Sequence, residues 1–194
     1  TPLAKTFLSL DKNVFLQKPT AVTYEQCREL VKAEAASKGK VMAAYCYRLS
    51  PLVRKVKEVM PHPQAMFARM MVGDVAESHK HYFDMPAVGQ PMIDLACHNF
   101  DMIYWMAGCK PVRVTASGGN MRHPGTDLID NFSATIEFEN GSIGTLMSVD
   151  CGANEFKKKW YAEFYGQSTS AIIDSFVKLI LYGVYTNEMT CDYR

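Results

Sequence analysis

The second half of the chain carries a close succession of short alternating apolar segments, and this pattern constrains the fold most. Asn140-Gly141 stands between two of them, and an Asn-Gly pair with such flanks is the strongest short-range signal for a β-hairpin. The segments are PVRVTASGG, DNFSATIEFENG, SIGTLMSVDCG, KKWYAEFYG, STSAIIDS and FVKLILYG. Strand-like segments that follow one another this closely predict an antiparallel sheet.

The first part of the chain has a different pattern. Residues 14–16 are apolar and of strand length, and the apolar run VMAAYCY at residues 41–47 is a second candidate strand. Between them, Thr23 with Gln26 three residues later is a capping-box signal for a helix that Gly39 is expected to close. A strand, a helix and a short apolar strand in this order predict the last unit of a parallel α/β sheet.

Three further elements connect these two parts. Ser50-Pro51 predicts the start of a helix that runs to about Met60, and QAMFARMMVGD predicts a strand. The stretch at 78–91 is rich in turn residues and predicts a loop. Residues 92–108 predict a helix that ends at Gly108. The sequence therefore indicates the tail of an α/β domain joined to an α+β domain.

Composition excludes several classes of protein. The net charge is +1 with no basic block, which argues against nucleic acid or an anionic membrane surface as the main partner. No apolar run approaches the ~20 residues of a membrane span. The six cysteines are scattered and none has CxxC spacing, so neither a zinc knuckle nor a disulfide framework is indicated. Scattered reduced cysteines favour a cytoplasmic protein.

The predicted helix at 92–108 carries an unusual polar stripe. Asp94, His98 and Asp101 fall within roughly 60° of one another on an otherwise apolar helix. One interpretation is a solvent-facing edge, although Lys, Glu and Gln are missing from it. A second is a metal site, since Asp and His one turn apart can bind one ion. The third is an acid/base pair in a pocket, with the carboxylate orienting an imidazole that exchanges protons near neutral pH.

Four stretches in this order, NVFLQKP, AYCYRLSP, DLACHNFD and FENGSIGTL, resemble successive landmarks of the Gfo/Idh/MocA oxidoreductases, the family of glucose–fructose oxidoreductase and inositol dehydrogenase. The resemblance implies an α+β fold: a C-terminal open, largely antiparallel sheet with flanking helices, preceded by the last α/β unit of a Rossmann domain. Residues 1–46 would be the remnant of the dinucleotide-binding domain. Residues 47–194 would be an incomplete substrate-binding and oligomerisation domain.

The same resemblance implies roles for individual residues. Lys18, Asp94 and His98 match the family's catalytic positions, with His98 as the acid/base and the other two in support. Gln17, Lys18 and Pro19 match the positions beside the nicotinamide ribose, so that Lys18 and His98 are expected to face one pocket. No metal is implied.

Three more positions are assigned less directly. Tyr47 and Arg48 stand where the family's substrate domain begins, so they are expected to bind substrate; a structural ion pair is an alternative role for Arg48. Asp101 matches a commonly acidic position, which is expected to be structural.

The activity implied by the resemblance is hydride transfer between NAD or NADP and a secondary hydroxyl or ketone of a sugar, cyclitol or glycoside. The expected partners are a small carbohydrate-like substrate and further copies of the chain, in a dimer or tetramer. Two alternatives stay open: a non-catalytic sheet module that mediates oligomerisation, and a glycoside hydrolase that uses NAD.

Two features depart from the family's pattern. Residue 17 is Gln where the family usually has Glu, which removes a carboxylate beside Lys18. No GxGxxG occurs among the twelve glycines, so the dinucleotide-binding half is expected upstream of Thr1. The chain is therefore expected to be an internal fragment that by itself is inactive and binds NAD(P) weakly.

Overall fold

A computed structural model describes residues 1–73, 91–153, 155, 159–183 and 187–190, with the backbone alone at 91–93 and 187–190. The chain divides into two compact units, Thr1–Tyr45 and Cys46–Arg194. This division lies one residue before the predicted domain boundary. The loop predicted at 78–91 falls, except for Pro91, outside the described residues.

The first unit is one α/β crossover. Its two short strands are parallel and pair Val14 with Val41, as predicted. The Thr23 hydroxyl accepts a hydrogen bond from the backbone amide of Gln26 at 3.2 Å, so the capping signal marks the true start of the second helix. A small core of Ala4, Leu8 and Leu30 lies beneath. The elements are α1 (Pro2–Ser9), β1 (Val14–Leu16), α2 (Tyr24–Ala35) and β2 (Val41–Ala43).

Two predicted boundaries in this region are wrong. The second helix ends at Ala35, not at Gly39. Gly39 is required for another reason: a Cβ there would lie 2.2 Å from the backbone oxygen of Lys12. The strand predicted over 41–47 stops at Ala43, and Cys46–Leu49 forms a 3-10 turn instead. Periodicity did not separate these short apolar runs, because a run of this length is compatible with either backbone geometry.

The second unit is built on an eight-stranded sheet. Its strand order is β10-β9-β8-β7-β3-β6-β5-β4, in which β3 and β6 are parallel and the other neighbours antiparallel. Asn140-Gly141 lies in the turn between β5 and β6, with Gly141 at φ +80°, which confirms the predicted hairpin. The strands are β3 (Ala65–Met71), β4 (Pro111–Gly119), β5 (Asn131–Phe138), β6 (Ile143–Val149), β7 (Trp160–Gly166), β8 (Thr169–Asp174), β9 (Lys178–Tyr182) and β10 (Asn187–Thr190). The predicted fold class, an open and largely antiparallel sheet with flanking helices, is confirmed.

Within the part of the chain that the structure describes, two helices cover one face of this sheet. They are α3 (Pro51–Val59) and α4 (Pro91–Ala107). The residue after α4 is Gly108 (φ +72°), which closes the helix as the sequence predicts. The core between helices and sheet includes Val53, Ile103 and Phe164, each fully buried. None of the described helices is long and apolar enough to cross a bilayer.

The helix α4 approaches β6 closely at Gly144. A Cβ on this glycine would lie 2.4 Å from Cγ2 of Ile103, a branched and fully buried side chain that has no room to move. Only a residue without a side chain therefore allows α4 to lie this near the sheet.

We expect Gly144→Ala to lower the free energy of unfolding by about 1–3 kcal/mol, because the added methyl group overpacks the contact with Ile103. Urea denaturation measures this loss. Gly119→Ala is the matched control, since a Cβ there meets nothing within 4 Å, and its effect should stay below about 1 kcal/mol. Equal effects of the two substitutions would contradict the close approach of α4.

The connection between β4 and β5 is organised by one buried carboxylate. Asp130 is fully buried and accepts hydrogen bonds from the backbone amides of Met121 (2.8 Å), Arg122 (2.6 Å) and His123 (3.2 Å). The side-chain amide of Asn131 adds a fourth at 2.7 Å. Burial alone would raise the pKa of Asp130, but these four bonds to the ionised form outweigh it and lower the pKa below the ordinary value.

We expect Asp130→Asn to cost about 1.5–3 kcal/mol of unfolding free energy at neutral pH, since three amides lose a charged acceptor. A lowered folded-state pKa makes this stabilisation present above pH ~4 and lost as the pH falls through the folded value. Urea denaturation between pH 7 and acid should therefore show the difference from the native chain shrinking below about pH 4. Asp127→Asn, at an exposed position in the same connection, is the control; a difference that stays constant with pH would contradict the assignment.

Candidate functional site

The polar stripe of α4 is partly withdrawn from solvent. Asp101 is 6% exposed, and Asp94 and His98 are half-buried. The solvent-facing edge is therefore wrong as an account of Asp101. A buried carboxylate needs a charged or hydrogen-bonding partner, and the turn that packs beside the stripe provides one.

Asp101 is paired with Arg48. The guanidinium donates from Nε to Oδ2 at 2.7 Å and from Nη2 to Oδ1 at 2.5 Å, so the ion pair is bidentate. Arg48 lies in the 3-10 turn Cys46–Leu49, half-exposed, while the carboxylate is buried. This geometry fixes the angle between the turn and the helix as well as their separation.

Tyr47, the neighbour of Arg48 in the same turn, lies against His98. The two rings are stacked, with centroids 4.6 Å apart and planes 25° from parallel. Tyr47 also contacts Phe176 at 4.2 Å and meets Trp160 edge-on at 5.5 Å. The Tyr47 ring therefore holds the imidazole, and the rings of Phe176 and Trp160 hold Tyr47.

Protonation follows from this packing. Burial, followed by the nearby thiols of Cys46 and Cys97, raises the pKa of Tyr47, so its hydroxyl stays neutral across the physiological range. Nδ1 of His98 is buried, so a proton exchanged with a ligand would pass through the other ring nitrogen, Nε2. Asp94 stands one turn before His98 on the same helix.

The first unit carries the other predicted site residues. Gln17, Lys18 and Pro19 directly follow the carboxyl end of β1, and the Lys18–Pro19 peptide bond is cis. In open α/β sheets, ligands bind outside the carboxyl ends of the strands. An ammonium and a side-chain amide at this place are donors that suit ribose hydroxyls, so these residues fit one edge of a dinucleotide.

Trp160 and Phe176 were not foreseen as part of the site. They come together because the amide of Ser175 donates to the carbonyl of Trp160 at 2.8 Å, which brings the β8–β9 turn to the start of β7. Phe176 has a positive φ of 57°, uncommon for an aromatic residue, but no feature of the sequence marks it.

Elsewhere the structure offers less. Among the described residues, no group of three or more Asp, Glu, His or Cys side chains could hold a metal ion. A cavity of about 580 Å³ lies at the opposite end of α4, lined by residues that include His62, Gly108 and Asn140. It contains none of the predicted site residues.

Residues 62–172 match the family model of the GFO/IDH/MocA C-terminal domain. Among curated proteins, YteT of Bacillus subtilis (strain 168), an oxidoreductase by name, is 27% identical over 178 residues, which cover 86% of this chain and 39% of YteT. The 2,7-anhydro-N-acetylneuraminate hydratase of Escherichia coli (strain K12) is 24% identical over 150 residues, covering 70% of this chain and 38% of the hydratase. The chain thus spans about two fifths of the length of these relatives.

Solved structures share the fold. The complex of levoglucosan dehydrogenase with NADH superposes with a TM-score of 0.82 at 20% identity, over 98% of this chain and 57% of that one. The UDP-N-acetylglucosamine 3-dehydrogenase GnnA of Acidithiobacillus ferrooxidans superposes with a TM-score of 0.82 at 18% identity, over 100% of this chain and 60% of that one.

Proposed function

Because the chain belongs to the GFO/IDH/MocA family, we propose that the full-length protein is a nicotinamide-dependent oxidoreductase. Its reaction would interconvert a secondary hydroxyl and a ketone on a sugar, cyclitol or glycoside. The observation that carries the proposal is the half-buried imidazole of His98, stacked on Tyr47 within the polar stripe of α4. The names of the relatives, an oxidoreductase and two sugar dehydrogenases among them, support the same class of reaction.

The residues of the stripe suit proton transfer at the reacting carbon. A neutral imidazole takes the hydroxyl proton through Nε2 as the alcohol is oxidised and returns it when the ketone is reduced. The Asp94 carboxylate stands one helical turn before the imidazole, at the spacing from which a carboxylate can orient an acid/base. Stacking on Tyr47 holds the ring in one plane, so the nitrogen keeps its direction during the transfer.

The cofactor, when bound, accepts or donates the hydride. NAD and NADP are both compatible with the donors present. Lys18 would hold the nicotinamide ribose by its ammonium, with Gln17 and Pro19 shaping the strand end. These roles rest on the family resemblance and on the position of these residues after β1.

Arg48 and Tyr47 have defined contacts within the chain. Arg48 commits Nε and Nη2 to Asp101, and one face of Tyr47 is occupied by His98. We propose that the substrate meets these residues at most through their remaining atoms, and that their larger contribution is to build the pocket wall.

A second candidate is chemistry without net oxidation. The Escherichia coli relative is named a hydratase, and adding water to a double bond changes no net oxidation state. The alternative of an NAD-using glycoside hydrolase belongs to the same class. Absorbance at 340 nm separates the candidates: a dehydrogenase accumulates one reduced nicotinamide per product, whereas a hydratase or hydrolase forms product with no net change.

We expect His98→Ala to lower turnover of the full-length protein by ~10²–10⁴, the usual contribution of a positioned acid/base. Dinucleotide affinity, measured by fluorescence titration, should change little, because the substituted side chain is an acid/base on the substrate. His62→Ala, at an exposed position outside the stripe, is the control. Full turnover in His98→Ala would show that His98 has no catalytic role.

We also propose that the face of the sheet opposite α3 and α4 pairs with a second copy. By strand alternation this face carries Phe67, Met147, Tyr165 and Ile172, and Tyr165 is 42% exposed. Glu163 accepts hydrogen bonds from the hydroxyls of Tyr161 (2.6 Å) and Tyr165 (2.5 Å), so the polar ends of both rings are satisfied within the sheet. The face thus presents aromatic and aliphatic side chains together with polar ones such as Arg69 and Thr145, a mixture of the kind that oligomer interfaces use.

Light scattering at micromolar concentration should report a dimer or tetramer. Tyr165→Lys should shift the population towards monomer, because taking an ammonium out of water is costly even beside the carboxylate of Glu163, and the ring contacts across the interface are lost. Val114→Lys is the matched control: it lies on the same sheet, is 56% exposed, and faces the opposite side. A monomeric native protein, or equal effects of the two substitutions, would contradict the proposed interface.

A further inference from the structure

We propose that Tyr47 is a positioning residue that sets the plane of the His98 imidazole, and that the Arg48–Asp101 ion pair holds Tyr47 in place. The inference rests on the proposed role of His98 as the acid/base. It deepens that role, because it assigns the direction of the reacting nitrogen to a short turn outside the helix that carries it.

The stacked contact between Tyr47 and His98 restricts the imidazole. At 4.6 Å between centroids and 25° between planes, the phenol ring of Tyr47 covers one face of the imidazole. Rotation of the imidazole about its Cβ–Cγ bond would drive its edge into that ring. The stack therefore restricts χ2, one of the two side-chain torsions that decide where Nε2 points.

Tyr47 is itself held in place. Phe176 lies 4.2 Å from its centroid, and Trp160 packs edge-on at 5.5 Å. These contacts come from the start of β7 and from the turn that joins β8 to β9, so they belong to the sheet and not to α4. Tyr47 therefore transmits the position of the sheet to His98, and does not simply follow the helix.

The 3-10 turn is attached to α4 at two points. Two consecutive residues of the 3-10 turn, Tyr47 and Arg48, contact two residues of α4 that are three positions apart, His98 and Asp101. A single contact would leave the turn free to pivot about it. The planar fork between Arg48 and Asp101 removes that freedom, because two parallel hydrogen bonds fix an orientation as well as a distance.

An acid/base role for Tyr47 itself is disfavoured by its surroundings. Burial raises the pKa of its hydroxyl, which makes the phenol a poorer proton donor and leaves no phenolate to act as a base. What the ring offers instead is its face. The proposal therefore predicts that the aromatic ring matters more than the hydroxyl.

The experiment uses the full-length protein with Tyr47→Phe and Tyr47→Leu. Tyr47→Leu should lower kcat by ~10–100-fold, the cost of a small misplacement of a reacting group, with KM changed by less than about threefold. Tyr47→Phe keeps the ring, and its fold-decrease in kcat should be less than a tenth of that in Tyr47→Leu. Lys55→Met breaks the Lys55–Glu58 pair (2.8 Å) on the exposed side of α3 and serves as the control for a lost ion pair.

A spectroscopic measurement separates positioning from general stability. In protein labelled with ¹³C-histidine, the ring current of Tyr47 should shift the His98 ring protons upfield, with the signal assigned by its loss in His98→Gln. Tyr47→Leu should abolish this shift and Tyr47→Phe should keep it. Arg48→Lys retains the charge but loses the fork, so it should reduce the shift and lower kcat by ~10-fold.

The outcomes are distinguishable. If His98→Ala has full turnover, the proposed acid/base role of His98 fails, whereas product formed with no net change in absorbance at 340 nm overturns the proposed oxidoreductase function. If His98→Ala loses turnover but Tyr47→Leu does not, the proposed function stands and the positioning role is overturned. An unshifted His98 signal in the native protein, or equal kcat losses in the Phe and Leu variants, also overturns it. Should Tyr47→Leu fail to fold, Arg48→Lys decides: native kcat together with a native ring-current shift overturns the proposal.

Discussion

The packing of α4 on the central strands is the contact on which the rest of the second unit depends. It is possible because Gly144 offers no side chain to Ile103, so the helix lies close to β6. The strands beneath it, β3 and β6, are the parallel pair at the middle of an otherwise antiparallel sheet. Parallel pairs require a crossover connection, so a helix is placed over the centre of the sheet by topology as well as by packing.

The position of α4 then determines which of its residues can be charged. Its buried side presents Met102, Ile103 and Met106 to the sheet. The polar stripe lies at the border of that side, where one carboxylate is buried and the imidazole is half-buried. A buried carboxylate is tolerated only with a partner. The partner of Asp101 is Arg48, and this ion pair attaches the 3-10 turn to the helix. Asp101 can therefore be buried only because it pairs with Arg48. The same pair places Tyr47, the residue before Arg48, beside His98.

Local signals predicted the parts of this arrangement that are local. Asn140-Gly141, Thr23 with Gln26, and Gly108 each mark an element boundary through backbone chemistry within a few residues. Gly39 misled because its constraint comes from Lys12, 27 positions earlier, and not from the helix before it. The parallel pairing of β3 with β6 was likewise not foreseen, because no short-range pattern encodes which distant strands become neighbours.

The candidate site divides in the same way. The stripe could be predicted, because helical spacing alone aligns Asp94, His98 and Asp101. The stack on Tyr47 could not, since it depends on where a 3-10 turn meets a helix about fifty residues later. Sequence spacing therefore identifies which groups can exchange protons, while tertiary packing decides how the exchanging atoms are oriented. In an active site the orientation of a group matters as much as its identity, because a proton acceptor contributes only when its lone pair points at the reacting atom.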